Sequence, residues 1–219
     1  MEIEMIVPEY YDSNIYVINK KILIDTGMTA SHVLMSLEKI VPLKNIELII
    51  LTHAHYDHSG CAGEILKNGT GIGKLAIHEA DAMVLTDSML SSALNFGSRI
   101  KCPTPDILYQ GGEKIPIGPN ENGEEEYLEV IHTPGHTAGC ICLYEKNSKT
   151  LFSGDTIFSD GGIGRSDFKI SMPEKMTASI EKLTKIEIEN LYSGHGRPTI
   201  GNASRSVELS KMMSERMNP

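Results

Sequence analysis

The chain has 219 residues, a formal net charge of −9 and four cysteines. A single α/β domain of this length buries enough apolar surface to fold without disulfides. Long phosphate backbones are bound by clustered Lys and Arg, and the sequence has no basic run, so we expect no nucleic-acid partner. No stretch reaches the roughly 18 apolar residues of a membrane helix, so we expect no membrane association.

The cysteines and the amino terminus predict the compartment. Cys61, Cys102, Cys140 and Cys142 form no CxxC pair, which is typical of a reduced intracellular protein. The first residues include acids where a signal peptide has lysines, and their apolar stretch is short. We therefore expect a cytoplasmic protein with a small-molecule substrate. The sequence does not predict its oligomeric state.

In chain order, the first half alternates short strands with helices. Apolar or alternating runs between turn-forming residues predict strands over 2–7, 15–18, 22–25, 46–51 and 74–78. Apolar residues at helical spacing predict helices over 30–41 and 58–67, and helical sequence begins again at residue 79. Residues 87–112 are rich in Ser, Met, Ala, Asn, Gly and Pro, and they form either a lid over a site or an ordinary surface loop.

The second half has a similar arrangement. Strands are predicted over 113–117, 127–131, 140–144, 151–153 and 188–193. Ser171 and Glu174 form an S-x-x-E pattern that predicts a capped helix with Met176 and Ile180 on its apolar face. The last helix, over about 203–217, has a methionine-rich end that we expect to fill gaps in the core rather than to form a binding surface. We predict two similar β/α halves, stacked sheet on sheet, in one domain spanning residues 1–219.

Four potential metal ligands follow the strand over 46–51. They lie in the segment Thr52-His53-Ala54-His55-Tyr56-Asp57-His58. Side chains alternate along extended backbone, so His53 and His55 point to one side, whereas Asp57 and His58 lie beyond the bend. This spacing predicts one metal on the first pair and a second metal on the later pair. Imidazole suits zinc, copper, iron or nickel.

Three further candidate ligands lie in the second half. His136 follows a sharp Pro-Gly turn, Asp155 follows the strand over 151–153, and His195 lies between two glycines. A carboxylate at Asp155 is suited to bridging two cations. Apolar strands that end in potential ligands are typical of an active site at one edge of a sheet.

Together and in this order, the THAHYDH segment, the TPGHT turn, the SGDT aspartate and the SGHG histidine resemble the metallo-β-lactamase-fold hydrolase superfamily. The resemblance covers about residues 25–195. It implies an α/β fold of the metallo-β-lactamase type, a four-layer αββα sandwich with a dinuclear site at one edge. The implied ligands are His53, His55 and His136 for the first metal; Asp57, His58 and His195 for the second; and Asp155 as the bridge.

The resemblance also implies roles for neighbouring residues. Asp25 matches an aspartate of the family that orients the metal ligands without binding the metal itself. His132 is expected to support the site or the fold rather than to bind metal. His32 and His78 are expected to be structural.

Within the superfamily, the segment from Asp155 to Phe168 is most similar to small glyoxalase II-like hydrolases and also resembles persulfide dioxygenases. We expect Arg165 and Asp167 to form a buried pair that fixes the glycine-rich loop; the alternative is that Arg165 binds a substrate carboxylate. Full-length glyoxalase II has a helical carboxy-terminal domain that contacts its thiol cofactor, whereas 24 residues, 196–219, follow His195. Glutathione recognition is therefore not carried over.

The predicted function is hydrolysis of a small thioester or ester by two divalent metal ions, with zinc expected and iron or manganese as alternatives. Two cations lower the pKa of a shared water toward roughly 7, and the metal-bound hydroxide attacks the carbonyl while the catalytic residues Asp57 and Asp155 hold the nucleophile. One alternative is a mononuclear iron persulfide dioxygenase that uses His53, His136 and Asp155 as a facial triad. The others are a lactonase and a non-enzymatic metal-binding scaffold.

Overall fold

The structure is a computed structural model that describes residues 1–69 and 73–217. The chain forms two compact units, Met1–Tyr109 and Gln110–Pro219. Each unit is built on one sheet with α-helices, as the two-half prediction requires. The stacking of the two halves and their union in one domain stay predictions. Among the described residues, no helix is long and apolar enough to span a bilayer.

The sheet of the first unit has six strands among the described residues. They are β1 (Ile3–Ile6), β2 (Ile15–Ile18), β3 (Ile22–Ile24), β4 (Leu48–Ile50), β5 (Lys74–His78) and β6 (Ile107–Tyr109). They lie in sequence order, antiparallel from β1 to β3 and parallel from β3 to β6. The α-helices are α1 (Ala30–Ile40), α2 (Tyr56–Ser59) and α3 (Ala62–Asn68). Because β3, β4 and β5 are parallel, the residues that follow them share one edge of the sheet.

The sheet of the second unit has five strands in the described part of the chain. They are β7 (Lys114–Pro119), β8 (Glu125–His132), β9 (Ile141–Glu145), β10 (Thr150–Gly154) and β11 (Asn190–Ser193). The order is β11-β10-β9-β8-β7; β10 and β11 are parallel, and the other neighbours are antiparallel. The helices are α4 (Pro173–Leu183) and α5 (Ser204–Met217). Since β8 and β10 both oppose β9, the carboxyl ends of β8, β10 and β11 share one edge.

The helix predicted over 58–67 is instead two short helices, α2 and α3, that are separated at Gly60 and Cys61. The helix breaks because the Cys61 amide donates to the Gly27 carbonyl oxygen at 2.9 Å instead of to its own helix, and the chain packs closely against residues 27–28 there. A Cβ on Gly60 would lie 2.7 Å from the Tyr56 carbonyl oxygen and 3.0 Å from the Cα of Met28. The helical sequence from residue 79 forms a 3-10 helix, Glu79–Thr86.

The segment over 87–112 contains structure that the sequence did not predict. Residues 107–109 of this segment are β6, which extends the sheet beside β5, and Ala93–Phe96 is a short 3-10 helix. Three residues after a proline-rich stretch carry too little periodicity to indicate a strand. The alternatives of lid and surface loop stay open.

Two predictions about helices in the second unit are wrong. Ser171 does not cap α4: the cap position is Met172, and the Ser171 hydroxyl donates to the His136 carbonyl oxygen at 2.6 Å. The methionine-rich end of α5 does not fill the core, because Met212, Met213 and Met217 are exposed. The predicted apolar face of α4, with Met176 and Ile180, is buried in the core as expected.

Candidate metal centre

The first unit brings four predicted ligands together after β4. The ring centroid of His53 lies 4.9 Å from that of His55 and 4.1 Å from that of His58. The Asp57 carboxylate lies 3.7 Å from Nε2 of His58. The three imidazoles are buried, whereas Asp57 is partly exposed. Buried imidazoles beside a carboxylate form a donor set suited to a transition-metal ion.

Asp25 orients two of these imidazoles. The parallel register of β3 and β4 places Asp25 beside Thr52, whose amide and hydroxyl both donate to the carboxylate at 2.8 Å. Nδ1 of His58 donates to the same carboxylate at 2.8 Å. Because the Thr52 hydroxyl donates its hydrogen to Asp25, its oxygen accepts from Nδ1 of His53 at 3.1 Å. Both imidazoles thus keep Nε2 for a metal, and these contacts are the ones that the predicted supporting role of Asp25 requires.

Asp81 is a supporting residue that the sequence analysis missed. It is fully buried in the 3-10 helix after β5, and its carboxylate accepts the amide of Ala54 at 3.0 Å. Ala54 lies between His53 and His55, so this bond fixes the backbone that carries both ligands. The parallel pairing of β4 with β5 brings Asp81 there. A lone aspartate in helical sequence gives no signal of such a role.

The second unit arranges the other three predicted ligands around one carboxylate oxygen. Oδ2 of Asp155 lies 3.6 Å from Nε2 of His136 and 3.6 Å from Nε2 of His195. This separation is long for a hydrogen bond. Two ligand atoms on one tetrahedral metal, each about 2.0–2.1 Å from it, are about 3.4 Å apart. The separations are therefore compatible with Asp155 and either imidazole binding one cation together.

Topology explains the meeting of these three residues. His136, Asp155 and His195 follow β8, β10 and β11, whose carboxyl ends share one edge of the sheet. Nδ1 of His136 donates to the Arg165 carbonyl oxygen at 2.5 Å, which leaves Nε2 for a metal. Gly164 makes this approach possible, since a Cβ there would lie 2.0 Å from the Asp155 carbonyl oxygen and 2.9 Å from the His136 ring.

Arg165 and Asp167 form the predicted ion pair, but the pair is not buried. The guanidinium makes two hydrogen bonds to the carboxylate, at 3.0 and 2.7 Å, which lower the pKa of Asp167. Both side chains are exposed, at 72% and 65%. The prediction of a buried pair is therefore wrong, because the two side chains point outward while the Arg165 carbonyl oxygen faces His136. The link from this loop to the ligand is made by backbone.

A cleft of about 580 Å³ lies beside His195 in the second unit. Its lining includes Phe158, Asp160, Arg197 and Pro198, and the Phe158 ring lies edge-on to the imidazole at 6.2 Å. The His195 side chain is 35% exposed, the most open of the three ligands in this unit. The cleft gives a small molecule access to that imidazole.

The remaining histidines have structural contacts, as predicted. Nε2 of His132 is bonded to the Ala138 carbonyl oxygen and that of His32 to the Val7 carbonyl oxygen, each at 2.9 Å. His78 accepts the amide of Ala80 at the start of the 3-10 helix.

The four cysteines are free thiols, in agreement with the expectation of no disulfide. Burial raises the pKa of Cys142 to about 11 and that of Cys102 to about 12. At neutral pH these two residues are therefore protonated, and a thiol is a poor metal ligand.

The comparisons with known proteins agree with this picture. The model of the metallo-beta-lactamase superfamily matches residues 10–195. A probable metallo-hydrolase of Methanocaldococcus jannaschii, MJ0888, is 35% identical over 194 residues, 85% of this chain and 88% of that protein. The hydroxyacylglutathione hydrolase GloC of Haemophilus influenzae is 34% identical over 189 residues, 84% of each chain. The crystal structure of the B3 metallo-β-lactamase BLEG-1 matches with a TM-score of 0.78 and 26% identity, over 97% of this chain and 96% of that one.

These likenesses confirm the predicted α/β fold of the metallo-β-lactamase type, a fold that implies divalent metal ions. The His and Asp residues gathered in each unit supply donors that such ions accept. The sequence motifs, the ligands that follow the strands and the matched relatives all lead to one conclusion: this chain belongs to the metallo-β-lactamase superfamily.

Proposed function

We propose that the chain is a hydrolase that uses two divalent metal ions, most simply zinc, to cleave a small thioester or ester. The observation that carries the proposal is the position of Asp155, with one carboxylate oxygen 3.6 Å from Nε2 of both His136 and His195. A carboxylate that faces two imidazoles at metal-ligand spacing fits between two cations.

The proposed ligand assignment follows the pattern of the superfamily. One cation is held by His53, His55 and His136, the other by Asp57, His58 and His195, with Asp155 shared by both. Two orienting contacts support it. The Asp25 carboxylate holds His58 through Nδ1, and the Arg165 carbonyl oxygen holds His136 through Nδ1. Each contact leaves Nε2 as the ligand atom.

A pair of divalent cations supplies a water of lowered pKa and a Lewis acid for the substrate carbonyl. The chain contributes orientation and charge. Asp57 is partly exposed beside His58, so its carboxylate can accept a hydrogen bond from the attacking water and hold that proton. Asp155 adds a second negative charge. The two carboxylates, Asp57 and Asp155, would together lower the net charge of a bound pair of dications.

Two observations support a thioester as the substrate. The relative from Haemophilus influenzae is named a hydroxyacylglutathione hydrolase and covers 84% of the chain. The cleft beside His195 has room for a small acyl or thiol group. Asp160 and Arg197 in its lining place one charge of each sign beside this space.

The test is an activity panel on the purified chain with its metal quantified. S-lactoylglutathione and a simple acyl thioester are compared with an aryl ester, a lactone, nitrocefin and glutathione persulfide, and oxygen uptake is recorded with the persulfide. We expect about two metal ions per chain and thioester or ester turnover without oxygen uptake. One iron per chain with oxygen uptake favours the dioxygenase, and turnover of the lactone alone favours a lactonase.

Two ligand variants and one control complete the test. His55→Ala and Asp57→Ala should lose hydrolysis by at least about 10²-fold, since each removes a ligand. His32→Ala removes an imidazole bonded only to surface loop groups, the Val7 carbonyl oxygen and Glu9, and should keep its activity. Full hydrolytic rates in both folded ligand variants would falsify the proposal.

A further inference from the structure

The last helix, α5, buries a stripe that is mostly serine and exposes its larger apolar side chains next to that stripe. Its buried residues are mostly serines: Ser206, Val207, Ser210 and Ser214. Its larger apolar residues are between 41% and 56% exposed: Leu209, Met212, Met213 and Met217. A surface helix normally buries its apolar stripe and exposes the polar one. The exposed side of α5, defined by these four residues, is called the Leu-Met face below.

Hydrogen bonds on the inner side fix the orientation of α5. The Ser206 hydroxyl donates to the Ser159 carbonyl oxygen at 2.7 Å, and the Ser210 hydroxyl donates to that of Gly162 at 2.9 Å. Leu209 lies at the edge between the inner and exposed sides, where its Cβ packs so closely on the backbone that a Cβ on Gly161 would lie 2.5 Å from it. Rotation of α5 to bury its methionines would break both bonds. The exposure of the Leu-Met face is therefore built into the packing.

Apolar surface in water costs roughly 25 cal/mol per Å². Four such side chains in a row expose on the order of a few hundred Å², a patch size that marks an interaction site on a folded protein. We propose that the Leu-Met face binds the same face of a second copy of this chain, with the two α5 helices antiparallel. This inference is independent of the proposed hydrolase activity.

Charges on α5 favour this partner. In an antiparallel pair centred on Met212, position 208 of one helix lies opposite position 216 of the other. Glu208 then faces Arg216 of the partner subunit, and the two-fold axis repeats the pair on the other side. A self-complementary surface is what a two-fold dimer requires. The net charge of −9 disfavours the other common cover for an apolar helix, an anionic membrane surface.

The patch size sets the expected affinity. A stable dimer buries roughly 800 Å² on each partner, more than the Leu-Met face offers by itself. Methionine side chains are flexible and suit adaptable contacts. We therefore expect a weak dimer, with a dissociation constant of about 1–100 µM.

The test is analytical ultracentrifugation of the full chain from about 1 to 500 µM, which spans the expected dissociation constant. Met213→Glu should raise the dissociation constant at least about tenfold, because it places a charge in the centre of the face. Met83→Glu is the matched control: Met83 is 79% exposed in the first unit, and its substitution should leave the dimer unchanged. Circular dichroism and the unfolding midpoint of both variants should equal those of the parent.

A charge exchange tests the register. Glu208→Arg and Arg216→Glu should each weaken the dimer about tenfold, because like charges then face one another twice. The double variant should return the dissociation constant to within about threefold of the parent. The proposal is overturned if the parent stays monomeric at all concentrations or if Met213→Glu has no effect. Failure of the double variant to recover, or binding of a monomeric parent to phosphatidylglycerol vesicles, also overturns it.

Discussion

Oδ2 of Asp25 lies 2.8 Å from Nδ1 of His58, and the same carboxylate binds the Thr52 hydroxyl that accepts from His53. One buried carboxylate thus fixes two imidazoles that the sequence separates by five positions. Asp25 itself has a φ of 58°, a left-handed conformation that aspartate tolerates better than most residues. The candidate site is therefore organised by hydrogen bonds to the predicted ligands as well as by the ligands' own positions.

Asp25→Asn should weaken metal binding by about 10–100-fold. The amide cannot serve both the Thr52 hydroxyl and Nδ1 of His58 as an acceptor as well as a carboxylate does. The measurement is competition with a chromophoric chelator at fixed pH. Asp87→Asn is the matched control, because Asp87 accepts exposed backbone amides at 89 and 90. Equal affinity in the two variants would show that Asp25 does not orient the ligands.

Asp81→Ala should lower the free energy of unfolding of the metal-free protein by about 1–3 kcal/mol. The substitution leaves the buried amide of Ala54 without its acceptor. Urea unfolding followed by circular dichroism measures the change. Asp160→Ala, on an exposed residue, should cost less than about 0.5 kcal/mol. A similar cost for both variants would contradict the role given to Asp81.

Gly164→Ala should reduce both stability and metal content. Its Cβ would overlap the Asp155 carbonyl oxygen and touch the His136 ring, so backbone must shift, at about 1–3 kcal/mol. Gly162→Ala is the comparison, because the nearest atom there is the flexible Asp160 carboxylate, at 2.9 Å. Metal analysis and urea unfolding are the measurements. Normal metal content in folded Gly164→Ala would show that the close approach is not needed.

Cys142 should make the protein less stable at alkaline pH. Burial raises the pKa of its thiol to about 11, above the roughly 8.5 of an unfolded chain. The protonated thiol therefore adds its full share to the free energy of unfolding below about pH 8.5. That share is lost as the pH rises toward 11, by about 1.4 kcal/mol per pH unit. Urea unfolding measured between about pH 8 and 11 should show that the free energy of unfolding falls less steeply with pH in Cys142→Ala than in the parent chain. Equal slopes would contradict the buried thiol.

Arg165→Gln should leave the urea midpoint and the metal content unchanged. The ion pair with Asp167 is exposed, and exposed pairs are weakened by solvent and salt. The contact that matters to His136 is the Arg165 backbone carbonyl oxygen, which the substitution keeps. Loss of metal in this variant would restore the sequence-based expectation that the side-chain pair fixes the loop.

Much of the fold follows from local sequence pattern. The strand over 15–18 is found at its predicted bounds, because four apolar residues lie between clear turn signals. Helix α1 begins at Ala30 as predicted and ends just before Pro42. Local pattern failed after Gly60, where the Cys61 amide binds the distant Gly27 carbonyl oxygen, and at β6, which exists because β5 offers it an edge.

The sequence by itself determined the types of candidate ligand and their places after strands, because imidazole and carboxylate spacing in one short segment has few other uses. Only tertiary structure decided what supports them. Asp81 reaches Ala54 through the parallel pairing of β4 with β5, and Ser171 serves the His136 turn instead of a helix cap. Which side of α5 faces solvent was likewise decided by tertiary contacts, because two of its serine hydroxyls bind carbonyl oxygens that are distant in sequence. These contacts join residues that are far apart in the sequence, whereas the periodicity of apolar residues carries information only about residues that are close along the chain.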